Sequence, residues 1–285
     1  MPKSPTRKGE DPEVFLEGAK AALDRPAGGQ GIAVKRNLYF YIYPIKGSPW
    51  PWHMQQLRKY WKVFNGRKLL AISKDERTES SDTVLRELGT SDYEVMLTDN
   101  DPNLGETKSF VEGLSRLQSL DPAESTFYAH AKGVSRGQQL LPNIIAWCEA
   151  MYLMNLGSPE LIDKLLERFD AVGGFHLVPI GSPWHFGGTF FWFNHAALFS
   201  ARWSEIAKTR HGVESFIGTH IPLEKACPLA PLGEYEDLYM VKLPIERCQA
   251  WMRDWIAREL GSSPKTYYSV PSVADTWNMK ERANP

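Results

Sequence analysis

The stretch 183–195 concentrates groups suited to ligand binding: Trp184 and His185 lead into Gly187 and Gly188, and an aromatic run containing Trp192 follows. A glycine pair lets backbone come close to a bound molecule, the rings offer flat faces to a sugar or a base, and the flanking His185 and His195 add polar contacts. That composition fits a binding cleft. A buried aromatic strand entered through a glycine bulge accounts for the same residues. Elsewhere Asp99-Asn100-Asp101 spells an acidic pair able to hold a divalent cation, and equally a turn in which Asp and Asn bond their own backbone. The turn is the first reading and the metal site the second. His176, His185, His195, His211 and His220 are the candidates for a zinc hydrolase, but none stands in a His-Glu-x-x-His frame and no paired cysteines accompany them.

These residues need a scaffold, and 285 residues can bury a sizeable core as one large domain or a domain with an appended lobe. A net charge of -1 argues against a basic nucleic-acid footprint, so nucleic acid is not an expected partner. Cys148, Cys227 and Cys248 are too few and too scattered for a disulfide framework, which suits a reducing cytoplasm. No apolar run reaches membrane-spanning length, and the expectation is a soluble, unexported protein with no transmembrane segment.

Along the chain, residues 1–12 read as a solvated tail and 13–25 as a short helix before a Pro/Gly-rich break. Strands are expected at 37–43, 68–73, 93–98 and 126–130. Helical spacing separates them: Leu57, Tyr60, Trp61 and Phe64; a short helix at 83–88; then Phe110, Leu114 and Leu117. Alternation of this kind favours a parallel sheet flanked by helices, and ligands gather at the carboxyl ends of such strands. Those ends carry Tyr43, Asp75, Asp99 to Asp101, and His130 with Lys132. Two core helices follow, marked by Ile144, Ile145, Cys148, Met151 and Tyr152 and by Leu161, Ile162, Leu165, Leu166 and Phe169. After the aromatic strand comes a polar stretch at 210–220, and an amphipathic helix bearing Ile245, Cys248, Met252, Trp255 and Ile256 closes the fold.

The order of these motifs resembles the nucleotide-sugar glycosyltransferases of the GT-A fold over residues 36–245, with 1–35 an N-terminal tail and short helix and 246–285 a C-terminal helix and tail. The third strand is followed by Asp101-Pro-Asn103-Leu-Gly105-Glu106, similar to the Asn-x-Gly step of many such enzymes. The string Phe127-Tyr-Ala-His130-Ala-Lys132-Gly133-Val134, with His185 to Trp192, is similar to a bacterial branch associated with polysaccharide assembly. The resemblance implies a GT-A-like (Rossmann-like) α/β fold and transfer of a sugar from a nucleotide-diphosphate donor to a glycan or other hydroxyl acceptor. It implies donor contacts from Tyr43, Asp75, Asp99, Asn100, Asp101, His130 and Lys132, acceptor or sugar contacts from Trp184, His185, Gly187, Gly188 and Trp192, and Glu214 as the base that deprotonates the acceptor. Glu234, Glu236 and Asp237 are rivals for that last role.

The chain departs from the family where an Asp-x-Asp would hold a divalent cation, for it has His130-x-Lys132 there. Imidazole and ammonium do not replace carboxylates on a hard cation, but they supply positive charge to a diphosphate leaving group. The expectation is metal-independent transfer with no cofactor; Asp99 and Asp101 would be the ligands if a divalent cation did take part. The plain alternative makes Lys132 a loop cap and His130 a satisfied strand-end residue. A second class of function, a nucleotide-sugar or carbohydrate-binding module without turnover, fits the missing Asp-x-Asp.

Overall fold

Apolar runs such as Leu38 to Ile42 leave no polar side for solvent, so their strands must be covered on both faces. The computed structural model, which describes residues 34–135, 141–179, 182–200, 202–231 and 238–261, contains such a sheet. The expected helix at 13–25 and the irregular ends lie outside the described residues. Strands β1 (Lys35–Ile42), β2 (Lys68–Lys74), β3 (Glu94–Asp99) and β4 (Glu124–His130) are parallel. β6 (His185–Asn194) runs antiparallel to both β4 and β5 (Ala171–Leu177), and the short β7 (Ala226–Pro228) is parallel to β5. Among the described residues these seven strands form one sheet in the order β3-β2-β1-β4-β6-β5-β7. The mostly parallel α/β sheet expected from the sequence is therefore present, and its first half has the 3-2-1-4 order of a doubly wound sheet.

Alternate residues of each strand face opposite cores. Leu38, Phe40 and Ile42 of β1 point with Phe127 and Trp192 toward α1 (Trp50–Tyr60), α2 (Ser81–Leu88), α4 (Leu141–Leu156), α5 (Pro159–Leu166) and α8 (Ile245–Leu260). Tyr39, Tyr41 and Tyr128 point the other way, toward α3 (Thr107–Leu117), α6 (His195–Phe199) and α7 (Gly212–His220). Local chemistry sets the helix limits. Ser80 caps α2 by accepting from the Thr83 amide at 3.2 Å, and Gly89 ends it in the left-handed region at φ 64°. Among the described residues no helix is long and apolar enough to cross a membrane.

Two segments differ from the expectation. The polar stretch at 210–220 is largely helical, because Val213, Phe216 and Ile217 share one face of α7 and bury it under the sheet. Ala171–Leu177 is a strand that periodicity does not announce, its alternation being broken by Gly173 and Gly174.

The closing helix α8 places Cys248, Met252, Trp255 and Ile256 in the same core as β1 and α4. The Trp255 indole donates to the Leu229 carbonyl at 2.9 Å, and Arg168 pairs with Glu259 at 2.7 Å. Removing a buried indole costs about 3–5 kcal/mol. Trp255→Ala should therefore lower the midpoint of one cooperative unfolding transition, followed in urea by tryptophan fluorescence and circular dichroism together. An unchanged main transition with a separate early loss of helix would show α8 to be an appendage.

Candidate functional site

The chain winds outward from β1 through β2 to β3, then returns to the far side of β1 as β4, so the direction reverses between β1 and β4. A crevice opens outside the carboxyl ends at such a point. Tyr41 is paired with His130 there, and two residues further on Tyr43 and Lys132 extend beyond the last rungs.

On one side of the crevice the ends of β1, β2 and β3 converge on a single carboxylate. The Tyr43 hydroxyl donates to Asp75 Oδ2, the Asn100 amide donates to the same oxygen at 3.0 Å, and Arg77 donates to it at 2.7 Å. The Arg77 guanidinium beside Asp75 holds its carboxyl well below the usual carboxylate range, with Tyr43 and Asn100 adding to the effect against partial burial. Burial, then the bond to Asp75, pushes Tyr43 up to about 12, leaving it a neutral donor. Arg77 was not among the residues expected here; it follows the strand end by two positions and reads as an ordinary exposed cation.

Asp99 and Asp101 do not share that cluster. The Asp101 carboxylate accepts from the amides of Asn103 at 2.9 Å and Leu104 at 3.3 Å, the turn chemistry named first for this segment. Asp99 is largely exposed and pairs loosely with Lys74 at 3.7 Å. Among the described residues no group of three or more His, Cys, Asp or Glu side chains is arranged to hold a metal ion. The five candidate zinc histidines form no such group either. His195, for example, lies at the amino end of β4, bonded through Nε2 to the Thr126 hydroxyl at 2.6 Å.

The other side of the crevice holds Lys132, His130 and Glu106. Lys132 is only 8% exposed, its ammonium standing 4.4 Å from the Trp147 ring centre and 5.3 Å from that of Tyr239. Such faces attract a cation through their quadrupoles but give it no hydrogen-bond acceptor. His130 holds its Nδ1 2.6 Å from Glu106 Oε2, and that oxygen also accepts from the Tyr128 hydroxyl at 2.9 Å. His130 Nε2 is buried and has no hydrogen-bond partner among the described residues. Glu106 escapes sequence reasoning because an acidic residue just before a helix reads as a cap. Here it makes no side-chain cap bond and turns its carboxylate inward.

The loop that carries Lys132 is clamped from α1. His53 Nε2 donates to the Lys132 carbonyl at 2.9 Å, and Nδ1 accepts from the Tyr152 hydroxyl at 3.0 Å, the tautomer being fixed because a carbonyl only accepts. Gly133 follows at φ 90°, and a Cβ there would lie 2.7 Å from Ile144.

On β6 the structure corrects part of the cleft reading. Trp192 is fully buried, stacked on Phe64 and donating from its indole to the Asn155 carbonyl at 2.9 Å. Trp184 is buried too and donates to the Ile221 carbonyl at 2.9 Å. Both indoles belong to the core. The glycine pair likewise admits protein: a Cβ on Gly187 would press on Leu177 at 3.2 Å, and one on Gly188, at φ 87°, would strike Met151 and Trp147. The pair opens a bulge in which Thr189 takes φ 61°, a strained value for a β-branched residue, with its hydroxyl buried and unpaired. His185 is partly buried, and burial lowers its pKa against the pull of Glu214. Glu214 sits in the first turn of α7, 3.0 Å from His211 Nδ1, with its side chain 36% exposed. Glu234, Glu236 and Asp237 lie outside the described residues.

No family model and no curated protein matches the chain. Among solved structures, the mannosyltransferase PcManGT from Pyrobaculum calidifontis in complex with GDP-Man and Mn2+ is similar over 87% of this chain and 69% of that one, at 12% identity and a TM-score of 0.40.

The clamp has a pH signature. Burial holds His53 down to about 3, and likewise His176 to about 3 and His195 to about 4, whereas an unfolded histidine titrates near 6.5. Between those values the unfolded chain binds protons that the folded chain does not. Stability is therefore full above about pH 6.5 and falls as the pH drops, by at most about 1.4 kcal/mol per pH unit for each group. Urea unfolding across that range should show this slope, and His53→Gln should reduce it by about one proton. Equal slopes in the two proteins would mean that His53 is not held neutral.

Proposed function

We propose that this chain transfers a glycosyl group from a nucleotide-diphosphate sugar to a hydroxyl acceptor, in the manner of a GT-A glycosyltransferase, without a divalent cation. The observation that carries the reading is the buried Lys132 ammonium at the β1/β4 switch point. Among the described residues it has aromatic faces and no hydrogen-bonding anion of its own. A buried ammonium left in that state favours an anionic ligand, and a diphosphate supplies the charge.

In this reading the nucleoside end lies against Tyr43, Asp75 and Asn100, where a held carboxylate accepts from ribose hydroxyls or base amino groups. The diphosphate faces His130 and Lys132, which neutralise charge as the bond to the sugar breaks. The acceptor hydroxyl arrives beside His185, with Glu214 taking its proton. The similarity of the Phe127-to-Val134 and His185-to-Trp192 strings to a polysaccharide-associated bacterial branch makes a growing glycan the acceptor of choice. Three cysteines, all free and buried, are compatible with action in the cytoplasm.

The burial of Trp184 and Trp192 favours a second reading, a binding module that holds the sugar nucleotide without turning it over, because it removes the aromatic platform expected for the acceptor. The two differ in one measurement: release of nucleoside diphosphate from a panel of labelled sugar nucleotides, with and without glycan acceptors. Turnover that persists in excess chelator supports metal-independent transfer. Turnover abolished by chelator and restored by manganese would overturn that part of the reading, and binding without turnover selects the module. Lys132→Met should weaken nucleoside-diphosphate binding about 10- to 100-fold in calorimetry, the loss of one charge-assisted contact. Unchanged affinity in a folded variant would return Lys132 to a structural role.

A further inference from the structure

Resting on that reading, we propose that Glu106 and His130 form a proton-transfer dyad, with Glu106 the positioning residue and His130 Nε2 the atom that donates a proton to the departing diphosphate. The geometry is that of an oriented imidazole. A carboxylate only accepts, so the 2.6 Å contact between Glu106 Oε2 and His130 Nδ1 places the shared proton on Nδ1 and fixes the ring. Tyr128 holds the carboxylate from behind at 2.9 Å. The one site left on the ring is Nε2, buried and without a partner among the described residues.

An unmade hydrogen bond on a buried polar atom is a standing cost that folds usually avoid. His53, in the same neighbourhood, satisfies both of its nitrogens. Among the described residues His176 and His195 also leave ring nitrogens unpaired; what sets His130 apart is that its ring is held by Glu106 at the carboxyl end of β4.

The charges around the ring point the same way. His130 is surrounded by Glu106 from α3, Tyr128 on its own strand, Tyr41 on β1, Lys132 on the following loop and His53 on α1. Burial raises both phenols and lowers His53, so these three stay neutral. Burial would also raise Glu106, but His130, Tyr128 and Lys132 outweigh it and lower its pKa, keeping the carboxylate ionised. Glu106 and Lys132 then cancel. A diphosphate arriving at this neutral pair brings at least two negative charges, and a proton on Nε2 is the compensation the site has to offer.

The step balances. As the bond from the sugar's anomeric carbon to the diphosphate oxygen breaks, its electron pair stays on the diphosphate, and the Nε2 proton passes to a diphosphate oxygen. The acceptor oxygen bonds to the anomeric carbon and its proton goes to Glu214. His130 then regains a proton from water and Glu214 releases one.

The test uses the full chain with inorganic pyrophosphate as the probe. The ring signals of His130 in histidine-labelled protein, assigned by their loss in His130→Asn, are titrated by NMR between about pH 5.5 and about pH 8.5, and calorimetry establishes binding independently. Saturating pyrophosphate should raise the His130 midpoint by about one pH unit or more, a tenfold gain in proton affinity. Glu106→Gln should lower the midpoint in the free protein and shrink the shift, and Glu106→Asp should restore part of both. If pyrophosphate binds and the wild-type midpoint does not move, the dyad is wrong while the diphosphate site stands. If neither pyrophosphate nor any nucleoside diphosphate binds, the site reading fails and takes the dyad with it. The wild-type titration decides even if Glu106→Gln does not fold.

Discussion

A sheet covered on both faces leaves polar chemistry few places to go. In β1 and β4 nearly every side chain is buried, whichever way it points. Charge and hydrogen-bonding capacity are displaced to the strand ends, and the reversal of direction between β1 and β4 parts the flanking segments at one of those ends. The Asp75 cluster and the Glu106, His130 and Lys132 group both follow from this constraint. They are supplied by residues from separate strands and their following loops, brought together only by parallel pairing.

Within the crevice the two sides are electrostatically different. Around Asp75 the carboxylate is oversupplied with donors from Tyr43, Arg77 and Asn100, a stable acceptor site in contact with solvent. Around Lys132 the arrangement differs: a cation lies against rings, and Glu106, the carboxylate it acts on electrostatically, is already engaged by His130 and Tyr128. One end thus presents a carboxylate as a hydrogen-bond acceptor, and the other a lysine whose described neighbours are aromatic faces.

The first four strands were legible because double-sided burial writes continuous apolar runs into the sequence, and their carboxyl ends were legible with them, which is how Tyr43, Asp75, His130 and Lys132 come to be named without coordinates. Glu106 was not legible, since its role depends on a helix start folding back against β4, a contact 24 residues away along the chain. The indoles show a different failure. Aromatic residues after a glycine pair serve a cleft or a core equally well, and only the carbonyls of Ile221 and Asn155, which receive the two indole N–H groups, decide for the core. α7 was hidden by its polar surroundings, and β5 by Gly173, whose missing side chain makes room for the Phe186 ring.

The bond from His53 to the Lys132 carbonyl has a thermodynamic consequence for any ligand of the crevice. Ordering a loop residue costs roughly 1–2 kcal/mol of backbone entropy, and a flexible loop would charge that cost against affinity when it closes on its ligand. Here the clamp is buried, made entirely of protein groups and anchored to Tyr152 on α4. The ordering is completed when the chain folds, so an anion binding there would meet a lysine backbone already in position and keep more of its contact energy as affinity.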